Sequence, residues 1–173
     1  SSSITGLSTD GTQVYLTAYT YIPNRPHPGT FEGRAAIRAT NGSIVWINDC
    51  IGDSYGVFAM NGVLYSASHA HSCAAIGGFR ETNPKTYHRG LAETTTATGK
   101  NIRSNGAYYP SFVGWAAGSL YNWYPNFSTG TVTGINQGPW SVTGNGNYVV
   151  FGGEFLYING KPQQGLVRFG GSR

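Results

Sequence analysis

The chain has 173 residues, enough for one domain with its own core. Only 10% of them are charged and 14% are aromatic, where an ordinary soluble domain carries about 25% charge; this combination excludes a disordered chain. The net charge is +4, but the eleven Lys and Arg are scattered rather than gathered into a phosphate-tracking stripe, so nucleic acid is not an expected partner.

In chain order, short apolar strands alternate with turns, and no helical period of useful length occurs. Residues 1–48 open with SITGLST, turn at Asp10-Gly11 and continue as a strand over Val14–Tyr19. A stiff loop, NRPHPG, carries His27 and leads to strands predicted over Arg34–Ala39 and Ile44–Ile47. Residues 49–136 open with SYGVFAM, turn at Asn61-Gly62 and continue over Val63–Ala67. A third strand is predicted at Arg89–Glu93 and a fourth at Ser119–Trp123, with residues 94–118 read as an insertion. Residues 137–173 supply WSVTG, a turn at Asn145-Gly146, and strands at Tyr148–Phe151 and Gly165–Phe169.

Asn-Gly and Asp-Gly readily take positive φ and are strong hairpin signals. Four antiparallel strands recurring every ~45 residues form the signature of a propeller blade. The expected fold is therefore all-β and β-propeller-like, about three four-stranded blades forming a partial ring. Propellers usually close with about 4–8 blades. The remaining blades are thus expected from a further fragment, another chain or a symmetry copy, and a small sandwich or prism is the alternative.

The segment FGGEFLYINGKPQQGLVRF, residues 151–169, resembles the delta-60 β-propeller repeat. Gly152, Gly153, Phe155, Asn159, Gly160, Leu166, Arg168 and Phe169 match its pattern, and Val167 departs from it. NDCIGDSYGVF, SASHAHSCAAIGGF and TYHRG look like secreted actinobacterial proteins built on these repeats, with Ser68 where a glycine is expected. The resemblance implies an extracellular propeller, often joined to adhesion or glycan-binding modules, and it implies no reaction. The chain begins without Met and shows no charged and apolar leader, which reads as a mature or trimmed secreted product. No apolar run approaches the ~20 residues of a membrane span.

The chemistry-bearing residues are few. Cys50 and Cys73 are the only cysteines; in a secreted chain an even count favours a disulfide over free thiols. His69 and His71 stand at i, i+2 in SASHAHSC, which on a strand puts both imidazoles on one face. With a carboxylate from Asp49 or Asp53, or with His88, they are candidates for a divalent metal; histidines bonded to backbone are the simpler reading, and no cofactor is otherwise implied. Asp53 and His88 are the candidate catalytic groups for acid/base cleavage of a polysaccharide. Residues 108–127 hold eight of the 24 aromatics. Trp123 and Phe127 are expected to fill the gap between blades, and Tyr108, Tyr109 and Trp115 are candidates for stacking on a sugar or a partner surface.

The leading functional expectation is a non-catalytic extracellular module that binds a glycan or protein surface through its loops. A polysaccharide hydrolase with a His/Asp site and a structural part of a cell-surface assembly are the alternatives.

Overall fold

A computed structural model describes residues 2–20 and 31–170; the loop carrying His27 lies outside them. Strands β1 (Ser3–Thr9), β2 (Gln13–Tyr19), β3 (Arg34–Arg38) and β4 (Ile44–Asn48) form an antiparallel sheet in that order. Strands β5 (Ser54–Met60), β6 (Val63–Ala70) and β7 (His88–Thr94) form a second sheet. A 3-10 turn, Ala74–Ile76, and two very short strands, β8 (Gly99–Lys100) and β9 (Ala116–Ala117), follow β6 and β7 respectively. The third sheet joins β10 (Pro139–Gly144), β11 (Tyr148–Gly153) and β14 (Leu166–Gly170); the hairpin β12 (Tyr157–Ile158) and β13 (Lys161–Pro162) is inserted before its last strand. The described chain is thus all-β, with several antiparallel sheets, none of them closed.

The expected fourth strand of the second sheet differs from the expectation. Residues 119–121 do run beside β7: Thr94 N–H donates to Ser119 C=O and Tyr121 N–H to Ala92 C=O, each at 2.9 Å. Only Leu120 and Glu93 form a bridge. The chain then turns on itself, Trp123 N–H donating to Tyr121 C=O at 2.8 Å, so no ladder extends further.

The turns follow their sequence. Asn61 (φ 53°) and Gly62 (φ 77°) supply the paired positive dihedrals of a tight β5–β6 hairpin. Each opening strand also carries a register shift against its neighbour, just before Gly6, Gly56 and Ser141 respectively. Strand β5 packs against β1 and β2 and against β10. A Cβ on Gly6 would lie 2.7 Å from Tyr55 O, and one on Gly56 would lie 2.7 Å from Trp140 O. These glycines let backbone approach backbone.

Side chains fill the wider gaps away from that line. Val57 packs with Tyr15, Ala36, Trp46 and Leu64 between the first two sheets. Val142, Val149 and Phe151 pack with Met60, Tyr65, Ala67 and Phe127 between the second and third. Phe127 is buried 5.3 Å from Phe151, and Trp123 sits 5.5 Å from Tyr65 and 5.2 Å from Phe169. Both rings fill the seam between those sheets.

Two covalent and polar ties cross the first seam. Cys50 and Cys73 form a disulfide closing a 23-residue loop, a constraint on the unfolded chain of about 3 kcal/mol. Beside it, the fully buried Arg34 donates from Nε to Glu93 Oε1, and Asn48 Nδ2 donates to the other Glu93 oxygen. Arg34 Nη2 also lies 3.2 Å from Cys50 Sγ. Breaking a buried pair leaves one charge without a partner, at a cost of about 3–5 kcal/mol. Glu93→Ala is therefore expected to lower unfolding free energy by that amount in urea titrations, and Glu93→Gln by less, because the amide oxygen still accepts from Arg34.

Candidate functional site

Antiparallel pairing brings the starts of β1, β3, β5 and β7 to the same end as the finishes of β2, β4 and β6. The end of β6 carries His69, and the segments that leave the sheets there carry Glu32, Asp49, Asp53, His71 and Tyr87. Residues 101–112 of the insertion fold over the same end. Asn101 Nδ2 donates to Ile47 C=O at 2.8 Å, and Asn105 Nδ2 to Asp49 C=O at 2.8 Å.

Three carboxyls stand at this end, and among the described residues none of them makes a salt bridge with Lys or Arg. Glu32 is 8% exposed and accepts a 2.6 Å hydrogen bond from Gly52 N–H. Burial pushes its carboxyl up to about 7 against that hydrogen bond, and the charges of Asp53 and Asp49 push the same way. Asp49 is 3% exposed, and burial raises it to about 7, opposed by the nearby Asn105 side chain. Burial lifts Asp53 to about 6 against hydrogen bonds from Thr20 N–H and Tyr55 O–H, each at 3.4 Å. Near neutral pH the group therefore offers carboxyl O–H donors as well as acceptors.

The two histidines lie on one face, as their i, i+2 spacing predicts. Each imidazole is 5.9 Å from the Tyr87 ring, edge to face. They then diverge: His69 Nε2 lies 3.4 Å from Asp53 Oδ2, and His71 Nδ1 makes an ion-pair contact at 2.5 Å with Glu81. Burial, with the His71 and Arg89 charges adding, drives His69 down to about 4, so it is neutral at pH 7. Burial and the Lys85 charge lower His71, and Glu81 opposes them. Among the described residues, no three His, Cys, Asp or Glu side chains gather as metal ligands would. The divergence of His69 and His71 toward different carboxylates accounts for this at the predicted metal candidates.

Tyr109 belongs to this end. Burial raises its hydroxyl above the ordinary value, and the charges of Glu32, Glu81, Asp53 and Asp49 all add to that. Its neighbour Tyr108 is 62% exposed. A depression of about 380 Å³ runs alongside, bounded by Ile51, Ser72, Arg80, Glu81, Arg103 and Asn105.

Other sequence candidates stand elsewhere. His88 is stacked 3.9 Å from Phe79 and 5.0 Å from Tyr124, and burial lowers it; it packs among rings and does not face Asp53. Trp115 lies 5.7 Å from Phe112, which in turn packs on Phe31, Ala35 and Ile47 of the first sheet. The sequence reading missed Glu32, Glu81 and Tyr87. Glu32 was legible only through register: Arg34 pairs with Asn48, which carries Glu32 to the Cys50 end of β4.

No protein-family model matches the chain, and no curated protein or solved structure is significantly similar to it.

This end combines carboxyls that hold protons near neutral pH, a neutral imidazole, the half-buried Tyr87 and Tyr109 and the exposed Tyr108. Its titration has a definite sign. Glu32 and Asp49 hold protons in the folded chain up to about pH 7, whereas unfolded carboxyls lose them near pH 4. Their contribution to stability is complete below pH 4 and is lost as pH rises through 7. His69, His71 and His88, lowered in the folded chain, oppose this below about pH 6.5. Urea-unfolding free energy is therefore expected to fall between pH 6.5 and 8, and the Glu32→Gln/Asp49→Asn double variant to flatten that limb.

Proposed function

We propose that the chain is part of an extracellular β-propeller of the delta-60-repeat kind, which binds a glycan or a protein surface through its loops without catalysis. The observation that carries this reading is the loop of Tyr108 and Tyr109, tied by Asn101 and Asn105 to Ile47 and Asp49 at the end of the first sheet, where Glu32 and Asp49 hold protons to about 7. Sugars present C–H faces that stack on rings and hydroxyls that exchange hydrogen bonds with such carboxyls. The Cys50–Cys73 disulfide supports an oxidising compartment. The shared register shift before Gly6, Gly56 and Ser141 supports reading the three sheets as blades. A glycan array probed with the protein is expected to give a defined set of ligands, and Tyr109→Ala to weaken them by about tenfold or more. No binding at the highest soluble concentration would remove the glycan reading and leave a structural role in a surface assembly.

A polysaccharide hydrolase is the second reading, favoured by one observation. Asp53, at about 6, adjoins carboxyls at about 7, a difference suited to a base and an acid working together. Reducing-end release from a panel of polysaccharides, lost in Asp53→Asn while the fold is retained, is the expected result. Release that survives this substitution, or no release from any member, rules it out.

A further inference from the structure

We infer that Arg80 and Arg103 are the anion-recognising centre of a two-lobed trough that takes an acidic oligosaccharide, one whose sugars carry carboxylate or sulfate groups. The inference rests on the glycan reading above and names the class of glycan. The depression of about 380 Å³ bounded by Ile51, Ser72 and Asn105 is one lobe. A second, of about 300 Å³, opens between Gly77, Gly78 and Ile102. Ala74, Arg80 and Arg103 line both, so the two arginines stand where the lobes meet. Each lobe reaches the ~300–1,000 Å³ range of small-ligand pockets, and two joined lobes suit consecutive sugar units.

The charge of this trough is not spent within the protein. Among the described residues, Arg80 and Arg103 are exposed and make no ion pair. Other arginines have partners: Arg34 holds Glu93, Arg89 lies 5.4 Å over the Tyr87 ring and Arg168 lies 4.2 Å over that of Tyr148. Glu81, the acid on the rim, is already engaged. Its Oε2 lies 2.5 Å from His71 Nδ1 and 3.4 Å from Lys85 Nζ. Two guanidinium forks therefore face the lobes with their N–H donors unused, and such forks fit the paired oxygens of a carboxylate or a sulfate.

The backbone beneath both arginines is fixed by one feature, the turn that the disulfide holds. Cys73, tied to Cys50, donates its N–H to Phe79 C=O at 2.8 Å, and Gly78 N–H donates to Cys73 C=O at 3.0 Å; Arg80 follows directly. Ile102 N–H donates to Ala75 C=O of the same turn at 2.7 Å, and Asn105 is held on Asp49; Arg103 stands between them. Ile51 N–H donates to Ser72 C=O at 2.8 Å and closes the floor. A backbone placed before the ligand arrives adds no ordering cost on binding. The walls also match sugar hydroxyls. Ser72 and Ser104 each accept a local N–H, from Ala74 and Gly106, which leaves both hydroxyl protons to donate. Tyr108, 62% exposed on the same loop as Arg103, offers a ring face for stacking.

The test is calorimetric titration of the 173-residue chain with tetragalacturonate, its fully methyl-esterified form, a heparin tetrasaccharide and a tetraglutamate peptide. One or both acidic saccharides are expected to bind one to one, and which of them binds separates carboxylate from sulfate as the recognised group. The neutral ester and the peptide are expected to bind at least tenfold more weakly. Arg80→Gln and Arg103→Gln should each weaken the acidic saccharide about tenfold or more, the loss of a charge-assisted hydrogen bond. Lys161→Gln, a cation on the β12–β13 hairpin that lines neither lobe, should change nothing. Both arginines are exposed, and an unchanged melting temperature would establish that their variants are folded. Ester or peptide binding as tight as the acidic saccharide, arginine variants that bind like the wild type, or an equal loss in Lys161→Gln would each overturn the inference. Neutral glycans that bind through Tyr109 with both arginine variants unaffected would overturn it and leave the broader glycan reading standing, whereas no binding of any saccharide would remove both.

Discussion

The Arg34–Glu93 pair is the constraint on which the first two sheets depend. An arginine with no exposed surface must find its hydrogen bonds within the protein, and here they come from three directions. Glu93 reaches it from β7, Ser54 Oγ from β5 at 3.5 Å, and Cys50 Sγ from the end of β4. Any slip of one sheet against the other would separate these groups in a low-dielectric interior. The pair therefore works more as a register pin than as a source of net stability.

The pin also reaches the candidate site. Asn48, which holds the second Glu93 oxygen, accepts from Gly118 N–H at 2.7 Å. That bond anchors one end of the insertion, while Asn101 and Asn105 tie the other part to Ile47 and Asp49. The loop carrying Tyr108 and Tyr109 is thus held by amide side chains against the first sheet. Acidic residues in the same region meet opposite surroundings: Glu93 has a guanidinium against it, while Glu32 and Asp49 make no salt bridge among the described residues and burial holds their protons to about 7.

Much of the strand order was legible because its signals are local. Asp-Gly and Asn-Gly turns, apolar runs of five to eight residues and the cysteine pair placed the hairpins and the disulfide. Trp123 and Phe127 read correctly as seam-filling rings. Non-local placement was not legible. Nothing in FEG around Glu32 signals a buried acid, and nothing around His88 signals a stack on Phe79 and Tyr124. Residues 94–118 read as an aromatic-flanked insertion, but that they dock on the first sheet depends on asparagine contacts more than forty residues away in sequence. The two histidines share a face as their spacing requires, yet their carboxylate partners, Asp53 and Glu81, come from loops whose paths only the fold determines.

The close approach at Gly6 and Gly56 has a consequence for how such a chain can vary. Where sheets meet backbone to backbone, their separation does not depend on the size of any side chain. Core residues farther out, such as Val57, Tyr65 or Phe151, can then exchange volume with their neighbours while the angular step between sheets stays the same. The geometry is set along the glycine line, which leaves the loops at the acidic end able to diversify without disturbing it.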